Sequence, residues 1–409
     1  MLIHKGVKIP MPQTVLIADD VVLDRIAGEG VVIYPGCRIF GEKTLIMPGA
    51  KLGHDGPVTV EDCQIGTDVE LKGGAFQRSV FLEKVTMGYG AQVRAGCILE
   101  EEAKGGHTVG LKQTILFPFV TLGSLINFCD CLMAGGTSRT NHSEVGSSYI
   151  HFNYTPNQDK ATPTLIGDVP RGVMLNQPPI FLGGQGGIVG PVRVEYGTVI
   201  AAGVVHRKDA FGKGKLLLGH APVTRATMYY PGMYRNVKYR VINNINYIAN
   251  LMALKQWYIG VRNQFFKTDS MGEMLYAGVL EKLEMALNER IKRFKTLAEK
   301  MPESAAEYRK VMKTKADDTI LRQKQELFDR WQDLEALFTR YREYEGDASR
   351  REPFLEKIAN LIKEKGCNYL PVIRSLDKTW SAKGTKWLQG IVDTVNQEAF
   401  ELLPSYRMK

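Results

Sequence analysis

The chain has 409 residues, 53 Lys and Arg against 44 Asp and Glu, a net charge of +9 and 44% hydrophobic residues. That length accommodates two or three domains with sizeable cores, and so mild a charge, with no basic stripe interleaved with aromatics, excludes nucleic acid as an expected partner. No apolar run of membrane-spanning length and no signal-peptide pattern stands out. The six scattered cysteines read as reduced thiols, so the expected location is cytoplasmic.

Charge is distributed unevenly. Residues 1–240 carry 24 Lys and Arg with 20 Asp and Glu, and residues 241–409 carry 29 and 24. The denser second part marks a change of architecture. Residues 1–30 hold short aliphatic runs without a firm period and are expected to form a cap or lead-in strand. From about Val31 the chain counts in sixes, with an aliphatic residue first and a small one fifth. Ile65-Gly-Thr-Asp-Val69, then Met87 to Ala91, Val93 to Cys97 and Leu99 to Ala103 are such units. Leu116 to Val120 and Phe128 to Leu132 continue the count, and Val194 to Thr198 and Ile200 to Val204 resume it. A period of six predicts a parallel β-helix over 31–205. Each short strand sends its first residue inward, and strand stacking satisfies the backbone coil by coil.

Two segments interrupt the count and are expected to loop off the solenoid. Residues 137–162 are polar and contain His142, His151 and an Asn153-Tyr154 pair, and residues 177–187 are rich in Gly and Pro. The glycines of the second do not follow phosphate-loop spacing. Residues 206–240 carry eight Lys and Arg against Asp209 alone and read as a basic linker. From 241 the period becomes helical. Leu275, Val279, Leu283 and Leu287 recur every four residues, and Leu327, Trp331, Leu334 and Phe338 form another stripe. The spacing predicts an antiparallel α-helical bundle over 241–409, with nothing catalytic in it.

The polar insertion is where chemistry is expected, because sites sit on loops held by a rigid scaffold. His142 follows the polar run Thr137-Ser-Arg-Thr-Asn141, which suits a solvent-facing groove, and a neutral imidazole there removes a proton from an acceptor amine or hydroxyl. His151 precedes Phe152 in a strand-like stretch and reads as structural. His107, His142 and His151 lack the close ligand pair of a zinc site, and Cys129 and Cys131 lack a partner pair, so no metal is expected.

Thr140-Asn-His142-Ser-Glu-Val-Gly146, Phe152-Asn153-Tyr154, Ile166-Gly-Asp-Val169 and Ile200-Ala-Ala-Gly203 resemble the bacterial glucosamine-1-phosphate acetyltransferases. More narrowly, they resemble the acetyltransferase half of the bifunctional N-acetylglucosamine-1-phosphate uridylyltransferase/acetyltransferase, over about residues 85–207. The resemblance implies an all-β left-handed parallel β-helix, usually a homotrimer, with acetyl-CoA lying along the prism between neighbouring chains. It implies His142 as catalytic base, Arg94 and Lys112 as sugar-phosphate ligands, and Asn153, Tyr154 and Lys160 as acceptor-site residues. Ala201 and Ala202 match the coil beside which the cofactor's pantetheine arm lies. Lys208, Lys213, Lys215 and Arg225, in the basic segment just after that coil, are expected near the cofactor's phosphates.

The chain departs from the family where Val145 replaces a substrate-binding tyrosine. The stretch between His142 and Asn153 is also shorter, and a segment before His142 is longer. Residues 1–30 carry no Gly-rich nucleotide loop, so the nucleotidyltransferase half is not expected. The expected function is acyl-CoA-dependent acylation of an amino sugar, sugar phosphate or nucleotide sugar. The alternative is a non-catalytic sugar-nucleotide-binding or assembly protein on the same scaffold.

Overall fold

The computed structural model describes residues 1–153, 155–219, 226–267 and 269–407. Its first half is a parallel β-helix of three ladders of short strands, and helices follow it, as the two sequence periods predict. The first face runs from Leu16–Ile17 through Ala91–Val93 to Val205–His206. The second runs from Leu45–Ile46 through Ile98–Leu99 to Arg193–Val194, and the third from Val32–Ile33 through Lys104–Gly105 to Leu216–Leu217. Alternate residues point inward, so Ile39, Val60, Phe76, Val93, Leu111 and Phe128 stack in register as a fully buried column behind the first face.

The corner before most third-face strands takes a left-handed residue. Gly49 takes φ +75° there, and a Cβ on it would fall 2.1 Å from Asp68 Oδ1. Asp68, Lys84 and Glu102 occupy the same corner in later coils at φ 55–59°. Their conformation is held by the ladders on either side, at a cost that glycine avoids.

The ladders extend past the expected bounds of 31–205. Leu16–Ile17 pairs with Arg38–Phe40, while Lys8 bridges Val32 and Ile26 bridges Ile46, so residues 1–30 build the first coil instead of a separate cap. Leu216–Leu217 pairs with Val199–Ile200 and Ala210 bridges Val194, so the first part of the basic segment is the last coil. The insertions are also smaller than expected. Glu144–Val145 and Ile150–Phe152 are rungs of the third and first faces, Phe181–Leu182 is a rung within 177–187, and Gly187–Val189 begins at its end. A rung is made by backbone hydrogen bonds over two or three residues, which polar sequences supply as well as apolar ones. Among the described residues, what departs from the coil here is a hairpin at Gly136–Ser138 and Asn141–His142, the stretch 155–163, and the segment 167–180 between two rungs.

One helical turn, α1 (Val169–Gly172), lies within the solenoid and is capped by Asp168, whose carboxylate accepts from Arg171 N. The others are α2 (Lys238–Trp257), α3 (Asn263–Phe266), α4 (Ser270–Glu299), α5 (Met301–Met312), α6 (Asp318–Asp329), α7 (Trp331–Tyr341), α8 (Ala348–Lys365), α9 (Tyr369–Arg374) and α10 (Lys378–Leu402). Asp269, Asp317, Asp347 and Asp377 cap α4, α6, α8 and α10 by accepting from backbone N–H groups, each worth about 1 kcal/mol. Pro302 sits in the first turn of α5, where its missing N–H costs nothing.

The helices do not stand apart from the β-helix. α4 packs along the second face, and Gly278 permits the approach, since a Cβ there would fall 2.5 Å from Gln64 Oε1. α2 is buried nearly all round, and three asparagines on it satisfy the solenoid backbone. Asn250 Oδ1 accepts from Val169 N at 3.0 Å, Asn244 donates to Ala161 O at 3.0 Å and Asn243 donates to Pro191 O at 3.1 Å. At a π-helical turn over Tyr258–Arg262 the chain inserts two polar side chains toward the solenoid. Arg262 donates to both oxygens of Glu101, at 2.6 and 3.0 Å, and Tyr258 donates to Glu100 at 2.5 Å. Burial pushes the Glu100 carboxyl up to about 7 while Arg262 pulls it down.

Candidate active site

Arg94 and Lys112 follow inward-pointing residues on adjacent rungs of the first face. Val93 is opposite Leu111, and Arg94 N donates to Leu111 O at 2.8 Å. The two side chains therefore emerge one strand spacing apart. Cys129 lies opposite Lys112 on the next rung, and Arg94 Nη2 comes within 3.8 Å of its sulfur. Burial pushes the Cys129 thiol up, and the Arg94 and Lys112 charges pull it down. Two neighbouring cations with fixed N–H donors suit an anionic oxygen group.

Asn153 leaves the same face at its corner with the second. Its amide donates to Asp130 Oδ2 at 3.2 Å, and Asp130 Oδ1 accepts from Arg290 of α4 at 2.6 Å. Arg290 and Asp130 are both buried, so the helical region reaches Asn153 through one carboxylate. Lys160 follows Asp159 on the same excursion at φ 53°. Asp159 is fully buried and accepts from the Tyr234 hydroxyl at 2.5 Å and the Ala161 N–H at 2.8 Å. Asn153 thus leaves the face that carries Arg94 and Lys112, while Lys160 follows a residue tied to Tyr234 and Arg240 of the helical region. Tyr154 lies outside the described residues.

His142 is elsewhere, on the corner between the second and third faces. It closes the hairpin opposite Gly136, and Glu144 two residues later is aligned with Thr121 and Lys104 on the third face. Arg139, in the hairpin turn, folds back to donate to Phe119 O at 2.5 Å, Glu102 O at 3.0 Å and Thr121 Oγ1 at 2.9 Å. The imidazole is half-buried. Burial and the Arg139 charge lower its pKa, Lys104 adds to this and Glu144 opposes it. The two leading effects both favour the neutral imidazole. Arg139, not His142, lines a cleft of about 580 Å³ together with Lys51, Lys84, Lys104, Asp68, Glu70 and Glu102.

His151 belongs to the interior. It continues the inward column between Phe128 and Ile188, its Nε2 is 2.7 Å from Thr164 Oγ1, and burial lowers its pKa to about 4. The expected cofactor residues spread around the last coils. Ala201 and Ala202 lie between the third and first faces, Lys208 between the first and second, and Lys213 and Lys215 between the second and third. Arg225 lies outside the described residues. A single chain therefore sets Arg94 and Lys112 on adjacent rungs of the first face, with Asn153 at that face's corner, but does not bring His142 to them, nor the cofactor set to one point.

Sequence reasoning missed the Arg290–Asp130–Asn153 chain and the charged cleft. Arg290 and Asp130 are 160 residues apart, and no local pattern pairs them. The cleft had a signal in the alternating charges of Lys51, Glu70 and Lys104, which one register aligns on the third face.

A parallel β-helix of six-residue units, with polar side chains at its corners, is the scaffold class this chain shares with the hexapeptide-repeat acyltransferases that it resembles. No family model matches the chain. It is similar to the Bifunctional protein GlmU of Thermotoga maritima, 29% identical over 212 residues that cover 51% of this chain and 41% of that protein. It is also similar to the Bifunctional protein GlmU of Fervidobacterium nodosum, at 29% over 54% of this chain and 43% of that protein, and to that of Pelobacter propionicus, at 28% over the same shares. The chain spans less than half the length of these curated relatives.

Proposed function

We propose that the protein is an acyl-CoA-dependent acyltransferase whose acceptor is an amino sugar, sugar phosphate or nucleotide sugar, with His142 as general base. The observation that carries this reading is the half-buried imidazole of His142, on the hairpin whose Arg139 lines the charged cleft, with burial and the Arg139 charge lowering its pKa. His142 takes a proton from the acceptor amine. The amine nitrogen attacks the thioester carbonyl, the C–S bond breaks, and the CoA thiolate leaves and is protonated. Arg94 and Lys112 hold the acceptor's phosphate, and Asn153, Tyr154 and Lys160 orient the sugar. Acetyl-CoA, the proposed donor, lies along the last coils by Ala201 and Ala202, and because Lys208 and the Lys213–Lys215 pair sit at different corners, only part of the basic set of one chain serves its phosphates.

Because His142 and the Arg94–Lys112 pair occupy different sides of one prism, the site is shared between copies in a homotrimer. The corner of one copy that carries His142 meets the first face of the next. Helices already occupy the second face. The third face ends in an apolar ladder, with Phe181, Val199 and Leu216 aligned on successive rungs at 40%, 38% and 60% exposure. A neighbouring copy is the occupant proposed for that strip, and closed cyclic symmetry is the common solution for such heterologous contacts.

The test is release of free CoA thiol from acetyl-CoA with a panel of amino sugars and their phosphates. His142→Ala is expected to lower turnover on the order of 10²–10⁴-fold without unfolding the protein, and His151→Ala to affect turnover much less. The wild-type rate should fall at acid pH as one group protonates, below the ordinary histidine range, because the neutral form is active and its pKa is lowered. A silent His142→Ala in a protein that turns over would end the mechanism. The second reading, a sugar-nucleotide-binding or assembly protein, is favoured by the separation of His142 from Asn153 within one chain. It predicts binding of nucleotide sugars with no CoA release across the panel.

A further inference from the structure

Arg290 stands where the pattern of α4 calls for an apolar residue. Leu283, Leu287 and Phe294 are completely buried on one stripe of the helix, and Arg290 falls on that stripe at 2% exposure. Burying a guanidinium costs more than burying an aliphatic side chain of similar length, so packing alone does not account for it. What it reaches is Asp130, also buried, whose Oδ1 accepts from Arg290 Nη2 at 2.6 Å.

Asp130 turns its other oxygen to the corner of the first face, where Oδ2 accepts from Asn153 Nδ2 at 3.2 Å. A carboxylate held by a guanidinium offers only lone pairs, so the Asn153 amide has one orientation open to it, with its NH2 toward Asp130. Its Oδ1 is thereby turned away from Asp130, on a side chain that is half-buried. The main chain is held as well, since Asn153 O accepts from Thr162 Oγ1 at 3.3 Å. Asn153 lies two rungs beyond Lys112, past Cys129, which is two strand spacings or about 10 Å. A phosphate held at Arg94 and Lys112 therefore leaves its sugar extending toward Asn153. The excursion that follows is tied to the helical region a second time, where buried Asp159 accepts from the Tyr234 hydroxyl at 2.5 Å and from Arg240 of α2 at 3.3 Å.

We propose that Arg290 and Asp130 are positioning residues of the acceptor site. Through them α4 fixes the Asn153 amide with its oxygen toward the ligand, so the site selects a sugar that presents a hydrogen-bond donor there, an amine or a hydroxyl. The inference rests on the reading of Asn153 as an acceptor-site residue and extends that site to the helical region. Arg290 touches no substrate. It acts through Asp130, and the acceptor's affinity is coupled in this way to the docking of α4.

Calorimetric titration of the full chain with glucosamine 1-phosphate, which carries amine, hydroxyl and phosphate together, tests the coupling. Asn153→Ala is expected to weaken binding about tenfold, the loss of one well-placed hydrogen bond. Arg290→Met should weaken it about fivefold although Asn153 is intact, and Arg290→Lys, which keeps a charged donor, should recover most of that loss. Arg290→Met also leaves Asp130 buried without its partner, so the variant Asp130→Asn/Arg290→Met, which removes both charges, guards against simple unfolding. In that double variant the amide at position 153 faces a neutral amide that can donate or accept, and its orientation is no longer imposed. Binding should remain about fivefold weaker at an unfolding midpoint near that of the wild type. In turnover the loss should fall on KM for the acceptor, with KM for acetyl-CoA unchanged. A merely structural pair would lower the midpoint of Arg290→Met and leave the double variant with wild-type affinity, and that result overturns the proposal. If Asn153→Ala binds like the wild type, or the wild type does not bind at all, the acceptor-site reading fails and this inference falls with it. If Asn153→Ala weakens binding and the double variant does not, this inference alone fails.

Discussion

The second and third faces of the prism have the same backbone and opposite fates. On the second face the outward residues are Leu45, Val80, Ile98, Ile115, Leu132 and Leu165, aligned on successive rungs with Gln64, and each of the six is at most 2% exposed. On the third face the corresponding residues are Lys51, Glu70, Thr86, Lys104, Thr121 and Glu144, and all are partly or fully exposed. The second face is apolar inside and out, and the appended helices cover it, with α4 on its early rungs and α2 on a later one. The third face alternates apolar and polar and stays open, leaving the charged cleft that Arg139 lines. Burying each such aliphatic side chain is worth about 1.5–3 kcal/mol. The outward column of one face therefore decides where the helical region docks, and by exclusion which faces are free for a substrate or a second copy.

The difference between the faces is open to substitution. The largest effect is expected at the buried ion pair that locks the π-helical turn to the solenoid. Arg262→Ala leaves Glu101 buried without its partner and removes the cation 3.7 Å over the Tyr369 ring. It should cost about 3–5 kcal/mol, read as a lowered denaturation midpoint, and should loosen the helical region first in hydrogen exchange. A midpoint within error of the wild type would mean that the pair does not hold the two parts together. On the covered face, Ile98→Ala should cost about 2–4 kcal/mol through lost burial and the cavity left behind. Six residues on, the equivalent rung of the open face is Lys104. Changes on that open column, of which Glu70→Ala is the simplest, should stay within about 0.5 kcal/mol. Equal costs for Ile98→Ala and Glu70→Ala would remove the distinction between the faces.

Much of the scaffold was legible because the six-residue period reports the inward column directly. Ile65, Met87, Val93 and Leu99 are all completely buried, as units with an aliphatic first residue require. The first coil and the rungs at Glu144–Val145 and Phe181–Leu182, inside a polar and a Gly/Pro-rich segment, were not legible, because their ladder bonds are backbone bonds that leave little trace in side-chain type. The docking of the helices was written in a longer period that counting in sixes averages away. Leu45 and Lys51, Val80 and Thr86, Ile98 and Lys104, and Ile115 and Thr121 are each six residues apart, yet every first member is apolar and every second is polar. Only a count by whole coils separates them. At the site, Arg94 and Lys112 were named only through the family resemblance, and the structure sets them on adjacent rungs, each directly after an inward residue. The displacement of His142 to another corner was not legible. It depends on which residues of the polar segment make rungs and which make the hairpin, and short polar strands carry no periodic signal.

The central claim is that the reactive site is assembled from two copies, with His142 from one and Arg94 and Lys112 from the next. It is tested most directly by mixing two inactive chains, one carrying His142→Ala and the other Arg94→Ala with Lys112→Ala, during co-expression or joint refolding. In a cyclic trimer of randomly mixed chains, about one site in four receives both intact halves. The account predicts recovery of about a quarter of the wild-type turnover from two preparations that are each inactive. Mixed assemblies that form and show no recovered turnover would contradict it.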